Sequence, residues 1–150
     1  IWAFAAAQET EGVSPAMWEE FVLQYQVPIV EKHALVAYGC CENLTYHINR
    51  LKNVPGMRRI AVAPAADAPA CAEQIGSDFV ASYRPSPADM VAYGLDEPAI
   101  RRILRRDLEA FRANETPVDI TLKDVETIGR DADRVRTFVR LCRELIEELW

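Results

Sequence analysis

The sequence predicts an α/β fold of four successive β/α units on a parallel sheet. Three observations carry this. Short β-prone runs alternate with longer helical patterns, apolar residues recur along each helical pattern at three- and four-residue steps, and polar residues gather just after the strands. Such alternation pairs strands in parallel through right-handed crossovers. Half of a (β/α)8 barrel and a doubly wound sheet both satisfy it, and both bring the C-terminal ends of the strands together. No Gly-x-Gly-x-x-Gly follows any strand, so the strongest mark of a dinucleotide-binding sheet is missing.

The apolar start Ile1-Trp2-Ala3-Phe4-Ala5-Ala6-Ala7 lacks the basic residues of a signal peptide and reads as the tail of a structural element. Ser14-Pro15 opens a helix, with serine as cap and proline in the first turn. Trp18, Phe21, Val22, Tyr25 and Ile29 mark its apolar face, and Pro28 should kink or divide it. Leu35-Val36-Ala37-Tyr38 is the first strand, ended by Gly39. A helical pattern through Leu44, Ile48 and Leu51 leads to the turn Pro55-Gly56. Arg59–Ala63 is the second strand, and Asp67 caps a short helix that Gly76 ends.

Asp78–Ser82 is the third strand, followed by Arg84-Pro85-Ser86-Pro87 and a short turn to Tyr93. Ile100, Ile103, Leu104, Leu108 and Phe111 form the clearest helical stripe, with Arg101, Arg102, Arg105 and Arg106 on the polar, solvated side. Val118–Leu122 is the fourth strand. A last helix runs from about Asp131 to Leu149, with Val135, Phe138, Val139, Cys142, Leu145, Ile146 and Leu149 facing inward.

A length of 150 residues fits one domain, and 23 acidic against 17 basic residues give a charge of −6. That balance argues against nucleic acid as a partner, and no apolar run is long enough to span a membrane. The cysteines Cys40, Cys41, Cys71 and Cys142 do not form a secreted framework. Two fall at helical core positions, and the adjacent pair is poorly spaced for pairing with itself, so a reducing, cytoplasmic setting follows. His33 and His47, the only histidines, lie away from the strand ends, which disfavours a Ser-His-Asp triad or a His-rich metal site.

Four segments carry a resemblance: Tyr38-Gly39-Cys40-Cys41-Glu42, the stretch from Arg58 to Asp67, Tyr83-Arg84-Pro85-Ser86-Pro87, and Leu122-Lys123-Asp124-Val125-Glu126-Thr127. In this order they resemble the uroporphyrinogen decarboxylase superfamily, which includes cobalamin-dependent methyltransferases that use zinc to activate a thiol. The resemblance implies that residues 1–150 are the C-terminal half of a (β/α)8 TIM barrel, strands five to eight with their helices. It implies a decarboxylase-like or corrinoid-linked methyl-transfer enzyme of small organic substrates. Any corrinoid would sit on a separate partner protein, since no Asp-x-His-x-x-Gly signature is present. The other partner would be the N-terminal half of the barrel or a second copy of the chain. The competing reading is a non-catalytic barrel relative or an incomplete fragment.

Where the thiol-activating enzymes carry His-x-Cys, this chain has Tyr38-Gly39-Cys40, and the nearest match to the third family ligand is Glu126. The resemblance therefore implies Cys40 and Glu126 as zinc ligands. Lys123, Asp124 and Glu126 put three charges directly after an apolar strand, where charge is costly unless paired or binding something. Lys123 and Asp124, with Glu42, are the candidate catalytic groups. Tyr38, Arg84 (an anion clamp) and Asp67 are the candidates to bind substrate. If the strand continues through them, Cys40 and Cys41 point to opposite sides.

Overall fold

The structure is a computed structural model, and it describes residues 1–91 and 94–150. The turn expected at Tyr93 lies outside the described residues. Five strands, one more than expected, form a single parallel sheet: β1 Trp2–Ala5, β2 Leu35–Tyr38, β3 Met57–Val62, β4 Val80–Tyr83 and β5 Val118–Ile120. The order is β1-β2-β3-β4-β5, without the reversal of a doubly wound sheet. The added strand is the apolar start, where Trp2 to Ala5 run alongside Leu35 to Tyr38.

Strict sequential order sends every right-handed crossover to the same face. Burial follows. Val36, Tyr38, Ile60, Val62, Ala81 and Tyr83 are buried on the helical side, where Tyr38 meets Trp18 and Tyr83 meets Phe111. Residues of opposite parity at the β1 side, Trp2, Phe4 and Leu35, stay exposed. On that same bare face Arg59 of β3 holds Asp119 of β5 by two hydrogen bonds of 2.7 and 2.5 Å.

Among the described residues seven α-helices accompany the strands: α1 Pro15–Trp18, α2 Gln24–Val30, α3 Ile48–Leu51, α4 Ala68–Ile75, α5 Pro87–Val91, α6 Glu97–Ala113 and α7 Asp133–Leu149. A π turn at Glu19–Leu23 joins α1 to α2, so the expected division falls one turn ahead of Pro28, which remains inside α2. Ser14, Asp67 and Asp96 cap α1, α4 and α6 through their side chains, and α4 stops at Gly76. The pattern through Leu44 yields only the short α3, and Glu42 lies in the loop ahead of it.

The α6 stripe lies in the core as expected, with Ile100, Leu104, Leu108 and Phe111 all 0% exposed. Each such side chain removed from water contributes about 1.5–3 kcal/mol. Two apolar faces do not follow expectation. Phe21, Tyr25 and Ile29 face solvent while Trp18, Leu23 and Val30 enter the core, and Val135, Val139 and Ile146 of α7 are also exposed. The α6 arginines are not simply solvated either: Arg101 binds Glu144 and Glu148 of α7, and Arg105 binds Glu148. No helix among the described residues is long and apolar enough to cross a membrane.

Candidate functional site

The C-terminal ends of β2, β4 and β5 bring a compact polar cluster together. Three backbone bonds carry the ladder one residue past the strands: Gly39 N to Ala5 O, Arg84 N to Val62 O and Thr121 N to Tyr83 O. Beyond β2, Gly39 adopts φ +97 and turns the chain. A side chain here would be strained, and a Cβ would stand 2.5 Å from Leu44 Cδ1 and 2.9 Å from Ala61 Cβ. This turn cancels the strand alternation expected for the two cysteines. Cys40 Sγ and Cys41 Sγ instead converge, 3.6 Å apart.

Lys123, just past β5, stands at their centre. Its Nζ donates to Cys40 Sγ at 3.0 Å, Cys41 Sγ at 3.0 Å and Asp124 Oδ2 at 2.9 Å. Asp124 holds this position with φ 59, in the left-handed region that aspartate tolerates better than most residues. Cys41 Sγ donates to Asp124 Oδ2 at 3.3 Å. Arg84 donates through Nη1 to the Cys40 carbonyl.

The two thiols are set apart electrostatically. The hydrogen bond from Lys123 lowers the Cys40 pKa, and the charges of Lys123 and Arg84 add to that. Lys123 also pulls on Cys41, but partial burial, the Asp124 carboxylate and the neighbouring Cys40 sulfur together raise it. Of the two, Cys40 is thus the thiol that ionises first and Cys41 the one that keeps its proton longer. Contact with both sulfurs and with Asp124 raises the Lys123 pKa, so it stays an ammonium. Lys123 in turn lowers the Asp124 pKa.

Glu42 is buried beneath this cluster. Its Oε2 accepts from Cys40 N at 2.7 Å and its Oε1 from Ala7 N at 2.9 Å. Both oxygens serve backbone amides, so Glu42 positions the cysteine loop and is not presented to a substrate as the expected catalytic group. Tyr38 is likewise removed from the rim. It is 2% exposed on the helical face and donates to Gln26 Oε1 at 2.6 Å. Burial, then the Glu42 charge, raises its pKa. Asp67 caps α4 through Ala70 N at 3.1 Å, and among the described residues no hydrogen bond or ion pair joins it to Cys40 or Cys41.

Glu126 is exposed and lines a hollow of about 400 Å³ with Pro87, Ala88, Val91, Asp124 and Arg134. Asp124 is thus shared between the hollow and the thiol cluster. Cys41 is the member of the cluster that strand alternation would have turned away from Cys40. The available signal was the glycine directly between a strand and a cysteine pair.

A zinc ion held by Cys40 and Glu126 does not fit this arrangement. The place between the two sulfurs and the Asp124 carboxylate is filled by the Lys123 ammonium, and Glu126 faces the neighbouring hollow. Among the described residues no group of three or more His, Cys, Asp and Glu side chains is placed to hold a metal ion. No protein-family model, curated protein or solved structure matches this chain.

Proposed function

We propose that this chain is the C-terminal half and one strand more, five of the eight strands, of a (β/α)8 barrel whose rim performs thiolate chemistry on a small organic substrate. The observation that carries this reading is the Lys123 ammonium, 3.0 Å from each of two rim thiols. Of the two reactions implied by the uroporphyrinogen decarboxylase-like resemblance, it favours group transfer through sulfur. A cation-stabilised thiolate is a strong nucleophile toward an alkyl carbon. Cys40 sulfur donates its electron pair to the transferred methyl carbon as the bond from that carbon to its donor breaks, the pair of that bond leaving with the donor and Cys40 becoming the methyl thioether. Lys123 holds the thiolate beforehand, Arg84 and Glu42 fix its loop, and the adjoining hollow receives the substrate. A corrinoid on a separate protein is the implied methyl source.

The barrel reading is supported by strand order and by what the sector leaves bare. β1 and β5 are sheet edges, and the helices beside them expose Phe21, Tyr25 and Ile29 at one end and Val135, Val139 and Ile146 at the other. A flanking strand-plus-helix unit covers an open edge and an apolar helix side together. The N-terminal half of the barrel supplies such units, and a second copy is the alternative. Sedimentation should therefore find this chain associated, with Phe21→Glu weakening association; a cooperatively folding monomer contradicts the half-barrel. Four free thiols accord with a cytoplasmic setting.

The reaction is tested by incubating the protein with methylcobalamin and mapping methylated residues by mass spectrometry. Methylation of Cys40 that disappears in Cys40→Ser is expected. Equal methylation of the variant overturns the assignment of Cys40. Carbon dioxide release from a small carboxylic acid without methylation supports the decarboxylase-like reading instead. Neither activity in the assembled barrel points to a non-catalytic relative.

A further inference from the structure

We propose that Cys40 and Cys41 form a reversible, peroxide-sensitive dithiol switch on the rim. Four features of the geometry converge on this. The sulfurs are 3.6 Å apart on one side of the chain, because Gly39 turns it ahead of them. Both are reachable from solvent, Cys40 partly buried and Cys41 exposed. The Lys123 ammonium contacts Cys40 sulfur and favours its thiolate, the form that attacks peroxide. Cys41 sulfur points its proton at the Asp124 carboxylate, which keeps it the thiol partner.

The chemistry closes in two steps. The Cys40 thiolate attacks one peroxide oxygen, the O–O bond breaks, and sulfur is oxidised by two electrons to a sulfenic acid while hydroxide or alkoxide leaves. Cys41 sulfur then attacks Cys40 sulfur. An S–S bond forms as the S–O bond breaks, and the departing hydroxide takes the Cys41 proton as water. Two equivalents of a small thiol reverse the link by exchange.

Adjacent residues hold their Cα atoms about 3.8 Å apart, below the ~4.4–6.8 Å usual for a disulfide, so this link is strained and readily reduced. It suits a switch and not a permanent tie. Oxidation removes both sulfur partners of Lys123 and the nucleophile of the proposed reaction. The inference rests on the dithiol itself, and its test reads mass and not turnover, so it stands or falls separately from the methyl-transfer reading.

The experiment treats the native protein with hydrogen peroxide, with and without dimedone to trap sulfenic acid, followed by peptide mapping. The wild type should form a Cys40–Cys41 link within one peptide, reversed by dithiothreitol, while buried Cys71 and Cys142 stay unmodified. Cys41→Ser should accumulate the dimedone adduct on Cys40, and Lys123→Ala should slow oxidation about tenfold. Retained protection of Cys71 and Cys142 certifies that each variant is folded. Three results overturn the proposal: Cys41 oxidising as fast in Cys40→Ser as the pair does in wild type, Cys40 passing to sulfinic acid with no internal link, or links forming only between chains.

Discussion

Cys40 and Cys71 are the same residue in opposite surroundings. Cys71 lies on α4 at 0% exposure, its sulfur 3.6 Å from Thr45 Oγ1, and burial pushes its thiol up to about 11. Cys142 on α7 is pushed up to about 12, also by burial. Cys40 sits at a solvent-facing strand end beside an ammonium, and its thiol is lowered. Composition counts four cysteines, but packing divides them into two inert hydrophobes and a reactive pair. The proposed chemistry lies where the sheet's polar ends meet solvent, and the buried core lies where the helices cover one of its faces.

The sharpest test of that division is thiol accessibility. In the folded protein Cys40 and Cys41 should react freely with iodoacetamide. Cys71 and Cys142 should react only through unfolding, slower by roughly 10³-fold or more. Comparable labelling of all four would erase the contrast. Within the rim pair, Cys40 should be alkylated about tenfold faster than Cys41 at neutral pH, since only Cys40 has a lowered pKa. Peptide-resolved labelling times measure this, and equal rates would mean that Asp124 does not distinguish the two.

The core pair should register in stability. Cys71→Ser puts a hydroxyl into a fully buried site beside Thr45 Oγ1 and should cost about 1–3 kcal/mol in denaturant unfolding, with Cys40 labelling unchanged. Alkaline pH provides a smaller effect of defined sign. The unfolded chain ionises a thiol near the ordinary value of 9.0, while folded Cys71 and Cys142 hold their protons to about 11 and about 12. Their contribution is therefore complete below that ordinary value and lost as pH climbs toward the folded values. Cys142→Ala should flatten this alkaline fall, and an unchanged slope would show that burial does not raise the Cys142 pKa.

Much of this was legible in the sequence where local chemistry decides. Leu35–Tyr38 is a strand with its expected ends, and α4 starts at its Asp67 cap and stops at Gly76. The meeting of Lys123 and Asp124 with Cys40 also follows from their shared position after parallel strands. What was hidden depends on direction. Tyr38 shares parity with buried Val36, so it turns to the helices and away from the rim. The convergence of Cys40 and Cys41 requires the backbone angle of Gly39, which residue spacing does not reveal. Asp107 is 3% exposed within the apolar stripe of α6 because Tyr83 donates to it at 2.6 Å and Arg106 at 2.7 Å. No helical periodicity specifies a partner such as Tyr83, which comes from β4.

The claim on which the rest depends is that Lys123 makes Cys40 a thiolate. It is tested most directly by the pH dependence of Cys40 alkylation in wild type and Lys123→Ala, followed peptide by peptide. The wild-type rate should hold its plateau to lower pH than an ordinary thiol, because the folded pKa is depressed. Loss of the ammonium should shift the inflection upward by about one pH unit or more, with Cys71 and Cys142 still protected. A wild-type inflection at or above the ordinary thiol value, or one that Lys123→Ala leaves in place, would contradict it.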